Sequence, residues 1–187
     1  MVTAVLLLGG YEPYVTRAHA AARSILDLAD VQRHGRHDLL RAVPDADWLL
    51  NFLSAPKIPN SVLARFGDHA LNFHPAPPEY PGVGSASLAL HDERTWHGVT
   101  CHVMDERFDH GPIVRVAHFR IDPRWGYGDL WDRSLEECLE LFCDQVTLIA
   151  DGASMPYSGD VWARPSVTRS EFEQHPSFTA VPMRRTP

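Results

Sequence analysis

The order of apolar and polar positions divides the first half of the chain into alternating strands and helices. Thr3-Ala-Val-Leu-Leu-Leu8 is apolar on both faces and stops at Gly9-Gly10, as expected of a parallel-sheet strand covered on both sides. Residues 14–29 are rich in Ala and carry Ile25, Leu26, Leu28 and Ala29 near the end, which predicts a helix. Between Asp30 and Asp47 only His37–Val43 offers a short helical pattern. A second strand is predicted over Asp47–Leu53, a short helix over Pro59–Phe66 with proline in its first turn, and a third strand over Ala70–Phe73. His74 to Gly84 holds prolines at 75, 77, 78 and 81, so it reads as a rigid loop. Ser85–His91 reads as a helix, and Gly98–Met104 and Ile113–Ile121 as strands, the latter rich in β-branched and aromatic residues.

The clearest helix opens at Asp129, with Asp132 in its first turn, where negative charge suits the helix dipole. Trp131, Leu135, Cys138, Phe142, Gln145 and Ile149 recur at spacings of three and four, which marks one buried face. Alternation of strand and helix predicts an α/β fold, Rossmann-like, with a mainly parallel sheet flanked by helices. Its boundaries are expected at 1–151. Residues 152–187, with five prolines, read as an extended C-terminal tail packed over the domain. In such sheets ligands gather at the carboxyl ends of the strands, which directs attention to Gly9-Gly10, to 51–59 and to the chain after Asn72.

Composition narrows the partners. The 187 residues are 44% hydrophobic and 22% charged, as in ordinary globular domains. Seventeen Lys and Arg against twenty-four Asp and Glu give a net charge of −7, so nucleic acid is not the expected partner. The apolar stretch Val5–Leu8 is far too short to cross a bilayer, and the N-terminus lacks the basic flank of a secretory signal. Cys101, Cys138 and Cys143 form no CxxC pair, which argues against a disulfide framework. A cytoplasmic protein is expected, with no membrane partner.

Most isolated features point to no chemistry. Gly9-Gly10 matches neither GxGxxG nor GxxxxGK[ST], so a tight turn is its simplest reading, with a generic anion contact left open. His34 and His37 could chelate on a helix, but Gly35 interrupts it and no carboxylate or thiol joins them, so no metal is expected. Ser85 and Ser87 lack a GxSxG elbow, and Cys101 in mid-strand reads as core.

Residues 72–113 differ. Asn72 is unusual in an apolar strand, and His74, two residues on, emerges on the same side of an extended backbone. An amide and an imidazole so placed can hold a carbonyl oxygen and manage a proton. Asp109 precedes His110-Gly111, a turn able to bring a carboxylate beside the imidazole. Taken singly, each residue could equally serve as a strand cap, a packing group or a turn residue.

Together, NxHP, a proline-rich loop and GVTxHxMDExxDxGxI resemble the formyltransferases that use 10-formyltetrahydrofolate, including those acting on glycinamide ribonucleotide, initiator methionyl-tRNA and amino sugars. The matching residues are Asn72, His74, Pro75, Gly98, Val99, Thr100, His102, Met104, Asp105, Glu106, Asp109, Gly111 and Ile113. Asn51–Pro59 resembles the family stretch beside the folate pocket, and Trp162–Phe172 the end of some amino-sugar members. The chain departs from the pattern in having Pro81-Gly82 after Tyr80, where members carry Arg-Gly, and in a shorter N-terminal half.

The resemblance implies formyl transfer from 10-formyltetrahydrofolate, a co-substrate, to a primary amine of a small molecule, with Asn72, His74 and Asp109 catalytic. It places Leu53, Lys57, Ile58, Asp105, Glu106 and Asp109 at the folate, and Gly9, Gly10 and Tyr80 at the acceptor. Two alternatives stay open: a 10-formyltetrahydrofolate hydrolase, and a non-catalytic folate-binding or ligand-binding protein on the same fold. The tail and the sheet edge could serve a homodimer. The short 30–46 stretch, together with the negative charge, suggests an acceptor smaller than a nucleotide-diphosphate sugar, or a site completed by a partner chain.

Overall fold

The computed structural model describes residues 1–35 and 38–176. Six strands, β1 (Thr3–Leu8), β2 (Asp27–Arg33), β3 (Trp48–Phe52), β4 (Ala70–His74), β5 (Trp96–Val103) and β6 (Ile113–Arg120), form one sheet in the order β2-β1-β3-β4-β5-β6. The pairings among β2, β1, β3 and β4 are parallel, and β5 and β6 follow antiparallel. Helices α1 (Tyr14–Ile25), α3 (Ser85–His91) and α4 (Tyr127–Ala150) lie on one face. On the opposite face, α2 (Asn60–Phe66) and residues around Leu40 and Val43 cover Val5, Leu7, Leu49 and Ala70. Among the described residues, no helix is long and apolar enough to cross a membrane.

Two side chains from the sheet and one from α4 tie the larger core together. Phe52, Phe73 and Phe142 meet with ring centroids 4.9–6.4 Å apart, and each such pair adds about 0.5–1.5 kcal/mol beyond its burial. The predicted stripe on α4 is buried at Leu135, Cys138, Phe142, Gln145 and Ile149. The helix starts two residues earlier than expected. Asp129 therefore occupies its first turn and accepts a hydrogen bond from the Gly126 N–H at 2.9 Å, whereas Asp132 lies one turn further in.

The N-terminal half departs from expectation at one element. The helix predicted over 14–29 ends at Ile25, and Leu26 is already extended at φ −114° and ψ 155°. Strand β2 follows. It is an edge strand, half-buried and polar at Asp27, Asp30 and Gln32, so it lacks the continuous apolar run that marked β1. Residues 38–43 form no helix, and His37 lies outside the described residues. This irregular segment crosses over β1, tied down by the buried Gln32 amide. Gln32 donates to the Ala42 carbonyl at 3.2 Å and accepts from the Arg41 N–H at 3.0 Å. β2 has no counterpart in the sequence reading, and among the described residues no helix crosses from it to β3.

The C-terminal segment docks on the proline-rich loop. Ala163 donates to the Pro78 carbonyl, Val167 to Pro81, and Val83 to Val167. The loop admits this through two glycines at positive φ. A Cβ on Gly82 would stand 2.2 Å from the Val167 oxygen, and one on Gly84 2.2 Å from the Phe172 ring. Phe172 belongs to a short helix, α5 (Arg169–Glu173), whose first turn is capped by Thr168. Gly84→Ala is therefore expected to displace Phe172 and destabilise the protein by about 1–3 kcal/mol. Urea unfolding would measure the loss, and limited proteolysis should show faster cleavage within 152–176.

Candidate active site

Asn51, Asn72, His74 and His102 share one sheet face, because side chains two apart on a strand, and those directly opposite on paired strands, point the same way. Asn51 lies directly opposite Asn72, and Asn72 opposite His102. At the carboxyl end of β4 these residues meet the loop that follows β5. Here Asp109 adopts φ +43°, an uncommon conformation that Asp tolerates better than most residues, and turns its carboxylate inward. A cavity of about 1550 Å³ opens above them.

Asn72, His74 and Asp109 converge. The Asp109 Oδ2 lies 3.4 Å from His74 Nδ1 and accepts from the Gly82 N–H at 2.8 Å. Its Oδ1 accepts from Asn72 Nδ2 at 3.2 Å and lies 3.3 Å from His102 Nε2. Asp109 is 9% exposed and His74 6%. Burial by itself raises a carboxyl pKa, but the two imidazoles and the Gly82 N–H together outweigh it and hold Asp109 well below the usual carboxylate range.

Carbonyl groups fix how the rings can bond. His102 Nδ1 faces the Val103 carbonyl at 2.9 Å, so that nitrogen carries a proton; Nε2, 3.0 Å from Asn72 Nδ2 and 3.3 Å from Asp109 Oδ1, accepts from the amide in a neutral ring and donates to the carboxylate in a doubly protonated one. His74 stands between two acceptors, the Tyr80 carbonyl at 3.0 Å from Nε2 and Asp109 at Nδ1. A neutral ring can satisfy only one of them, and a doubly protonated ring satisfies both. Trp162 closes the arrangement from the C-terminal segment. Its indole stands edge-on to both rings, with centroids 5.0 Å from His102 and 6.1 Å from His74, and its N–H donates to the Gly111 carbonyl.

The other sequence-derived residues divide into two groups. Leu53, Lys57, Ile58, Asp105 and Glu106 line the same cavity as Asp109. The Asp105 carboxylate is held locally by His110 Nδ1 at 2.6 Å and by the Arg107 N–H. Gly9, Gly10 and the Tyr80 ring are not in the cavity wall. Gly9 is a close-approach glycine, since a Cβ there would stand 2.1 Å from the Leu53 oxygen, and Gly10 faces solvent. The Tyr80 hydroxyl donates to Asp92 and accepts from Arg94, with the ring buried. Tyr80 reaches the site through its carbonyl, at His74. His102, Asn51 and Trp162 were given no role in the sequence reading. The signal for the first two was the same as for Asn72, a polar residue facing inward from an apolar strand.

His97, on β5 behind His74, stays neutral. It sits between Tyr80 and Phe119, and neither ring nitrogen has a hydrogen-bond partner. Burial first, then the nearby His74 and His118, push its pKa down to about 3. In the unfolded chain a histidine titrates near ~6.5. Between these values the unfolded state holds the extra proton, so stability falls as pH drops through this window. Asp109, depressed when folded, adds its own loss below about pH 4. The wild-type chain should lose about 1.4 kcal/mol per pH unit below ~6.5 from His97 alone. His97→Leu should flatten that limb and gain about 2 kcal/mol on wild type at pH 5 relative to pH 7, read by urea unfolding at each pH.

Known proteins share this arrangement of elements. The formyl transferase family model matches residues 52–146. Phosphoribosylglycinamide formyltransferase of Escherichia coli (strain K12) is 22% identical over 127 residues, which is 67% of this chain and 59% of that enzyme's length. The structure of PseJ, a formyltransferase from Anoxybacillus kamchatkensis in complex with UDP-4,6-dideoxy-4-formamido-L-AltNAc and tetrahydrofolate, superposes with TM-score 0.69 at 17% identity. That match covers 92% of this chain and 89% of PseJ. A 4-N formyltransferase from Francisella tularensis superposes with TM-score 0.74 at 13% identity, over 92% and 78% of the two chains. At such identities the structural likeness speaks for the fold, while the family model spans just over half of the sequence and includes Asn72, His74 and Asp109. The chain belongs to the formyl transferase family.

Proposed function

We propose that the protein transfers a formyl group from 10-formyltetrahydrofolate to a primary amine of a small molecule, with Asn72, His74 and Asp109 as the catalytic constellation. The observation that carries this reading is a buried carboxylate held between two imidazoles and an amide on the floor of a cavity of about 1550 Å³. That volume exceeds the ~300–1,000 Å³ typical of a site for one small ligand, as a two-substrate reaction requires. The folate would lie along Leu53–Ile58 and the loop 105–109. The amine would enter from the other flank, past Ser85, Ser87 and Trp162, which also border the cavity.

In this reading the amine attacks the formyl carbon, a tetrahedral oxyanion forms, and the bond from carbon to N10 breaks. One proton leaves the amine and one arrives at N10. Asn72 donates to the oxyanion, and one such donor is worth roughly 10²–10³ in rate. The Asn72 NH₂ is already engaged with Asp109 and His102, so the oxyanion must take over one of these hydrogen bonds; the 3.2 Å contact to Asp109 is the longer. His74 carries the proton, its ring oriented by Asp109 at Nδ1, and must release the Tyr80 carbonyl when Nε2 turns to the substrate.

The expectation of a small acceptor rested partly on the short 30–46 stretch, yet β2 already extends the sheet on that side. Nucleotide-linked amino sugars therefore belong in the screen beside free amines. PseJ, whose complex holds a UDP-linked formamido sugar, matches over 92% of this chain.

A mass-spectrometric screen of amines with 10-formyltetrahydrofolate should yield a formylated amine. Release of formate alone would replace transfer by hydrolysis, and folate binding with no turnover would leave a binding protein. His74→Ala and Asp109→Asn are each expected to lower kcat by about 10²-fold or more while folate affinity, measured by calorimetry with tetrahydrofolate, changes less than about threefold. Asp109→Asn should also cost about 3 kcal/mol of stability, because it breaks a buried charge pair, so unfolding curves must accompany the kinetics. Near-normal kcat in both variants would overturn the assignment.

A further inference from the structure

Asn51 is buried, 8% exposed, near the carboxyl end of β3, where its neighbours Leu49, Leu50 and Phe52 are apolar. Its Nδ2 donates to Asn72 Oδ1 at 2.8 Å and approaches the Ser54 carbonyl at 3.4 Å. Its own Oδ1 has no hydrogen-bond partner. Exchanging the oxygen and nitrogen of this amide would set Oδ1 against two oxygens, so the orientation is fixed by its surroundings. An unsatisfied buried acceptor costs about 1–3 kcal/mol, and an aliphatic residue at 51 would carry no such cost. What the asparagine supplies is a donor to Asn72.

The geometry points to Asn51 as a positioning residue for the formyl-transfer step, an inference that rests on the function proposed above. It holds the Asn72 carbonyl so that the Asn72 NH₂ stays turned toward the reacting group. In the free protein, His102 Nε2 and Asp109 Oδ1 hold that NH₂ from the other side. An oxyanion must displace one of these. The contact from Asn51 is not given up, so during the reaction it goes on holding the amide by its carbonyl end. A donor on Oδ1 also withdraws charge from the amide and strengthens its NH₂ as a donor, as linked hydrogen bonds do.

The test uses two variants, with 10-formyltetrahydrofolate and hydroxylamine as the amine probe and formohydroxamate as the product. Asn51→Leu removes the donor at similar volume. Its kcat should fall about tenfold or more, with KM for 10-formyltetrahydrofolate within about threefold and melting temperature little changed. Asn51→Asp keeps the shape but puts a carboxylate against Asn72 Oδ1. It should be impaired at pH 8 and recover relative to wild type as pH falls to 5.5, because the protonated acid can donate again. A merely structural role predicts no such pH-dependent recovery. A second measurement needs no turnover: exchange of the Asn72 side-chain amide protons with water, followed by NMR, should be at least tenfold faster in Asn51→Leu than in wild type. Unchanged exchange, unchanged kcat in Asn51→Leu, or a pH-independent loss in Asn51→Asp would each overturn the positioning role. A wild-type chain with protected Asn72 protons but no transfer to any amine would count against the proposed function and leave this geometry standing.

Discussion

The buried carboxylate of Asp109 is the constraint on which the site depends. An isolated charge at that depth would cost several kcal/mol and would neutralise or drag in water. It stays charged because four groups from different parts of the chain reach it: Asn72 and His74 from β4, His102 from β5, and the Gly82 N–H from the proline-rich loop. Each can arrive only if the β4–β5 register is correct and the loop returns over the sheet. One ionised group thus couples strand pairing, loop conformation and chemistry, and its desolvation forces these parts to assemble together.

The loop conformation has its own support. Prolines restrict the backbone over 74–84, and Thr100 donates to the Ala76 carbonyl at 2.7 Å, which anchors the loop's start to β5. The far end is pinned by the pairing of Gly82 and Val83 with Val167. On the other side of the cavity, Leu53 leaves β3 at φ +62°, and the Gly9 backbone lies where any side chain would strike it. The turn after β1 packs tightly against Leu53. It sets where the wall begins.

Much of this was legible in the sequence, for reasons that differ by residue. β1, β3 and α4 are buried deeply enough to show clean apolar patterns. Asn72 and His74 stood out because a polar residue is costly in an apolar strand, and Asp109 stood out only once joined to the family pattern. β2 was missed because an edge strand needs to bury little, and its Asp27 and Asp30 broke the alternation. Asn51 carried the same signal as Asn72 but lay in a stretch read as folate wall. Trp162 was legible only as part of a resemblance, because nothing local to it reveals that it returns over His74 and His102. Such long-range contacts depend on the path of the chain between them.

The contact between Trp162 and Gly111 joins residues 51 positions apart in sequence, and this imposes an order in time. As the chain leaves the ribosome, the sheet and its polar floor emerge well before the segment that closes them. Until then Asp109 faces a cleft open to solvent, where the hydrogen bonds to its carboxylate are weaker. When Trp162 and Val167 arrive, the loop is pinned and the imidazoles are covered, so the hydrogen bonds around Asp109 reach full strength only late in the folding chain. The geometry of the site is thus laid down early, and its electrostatics mature late.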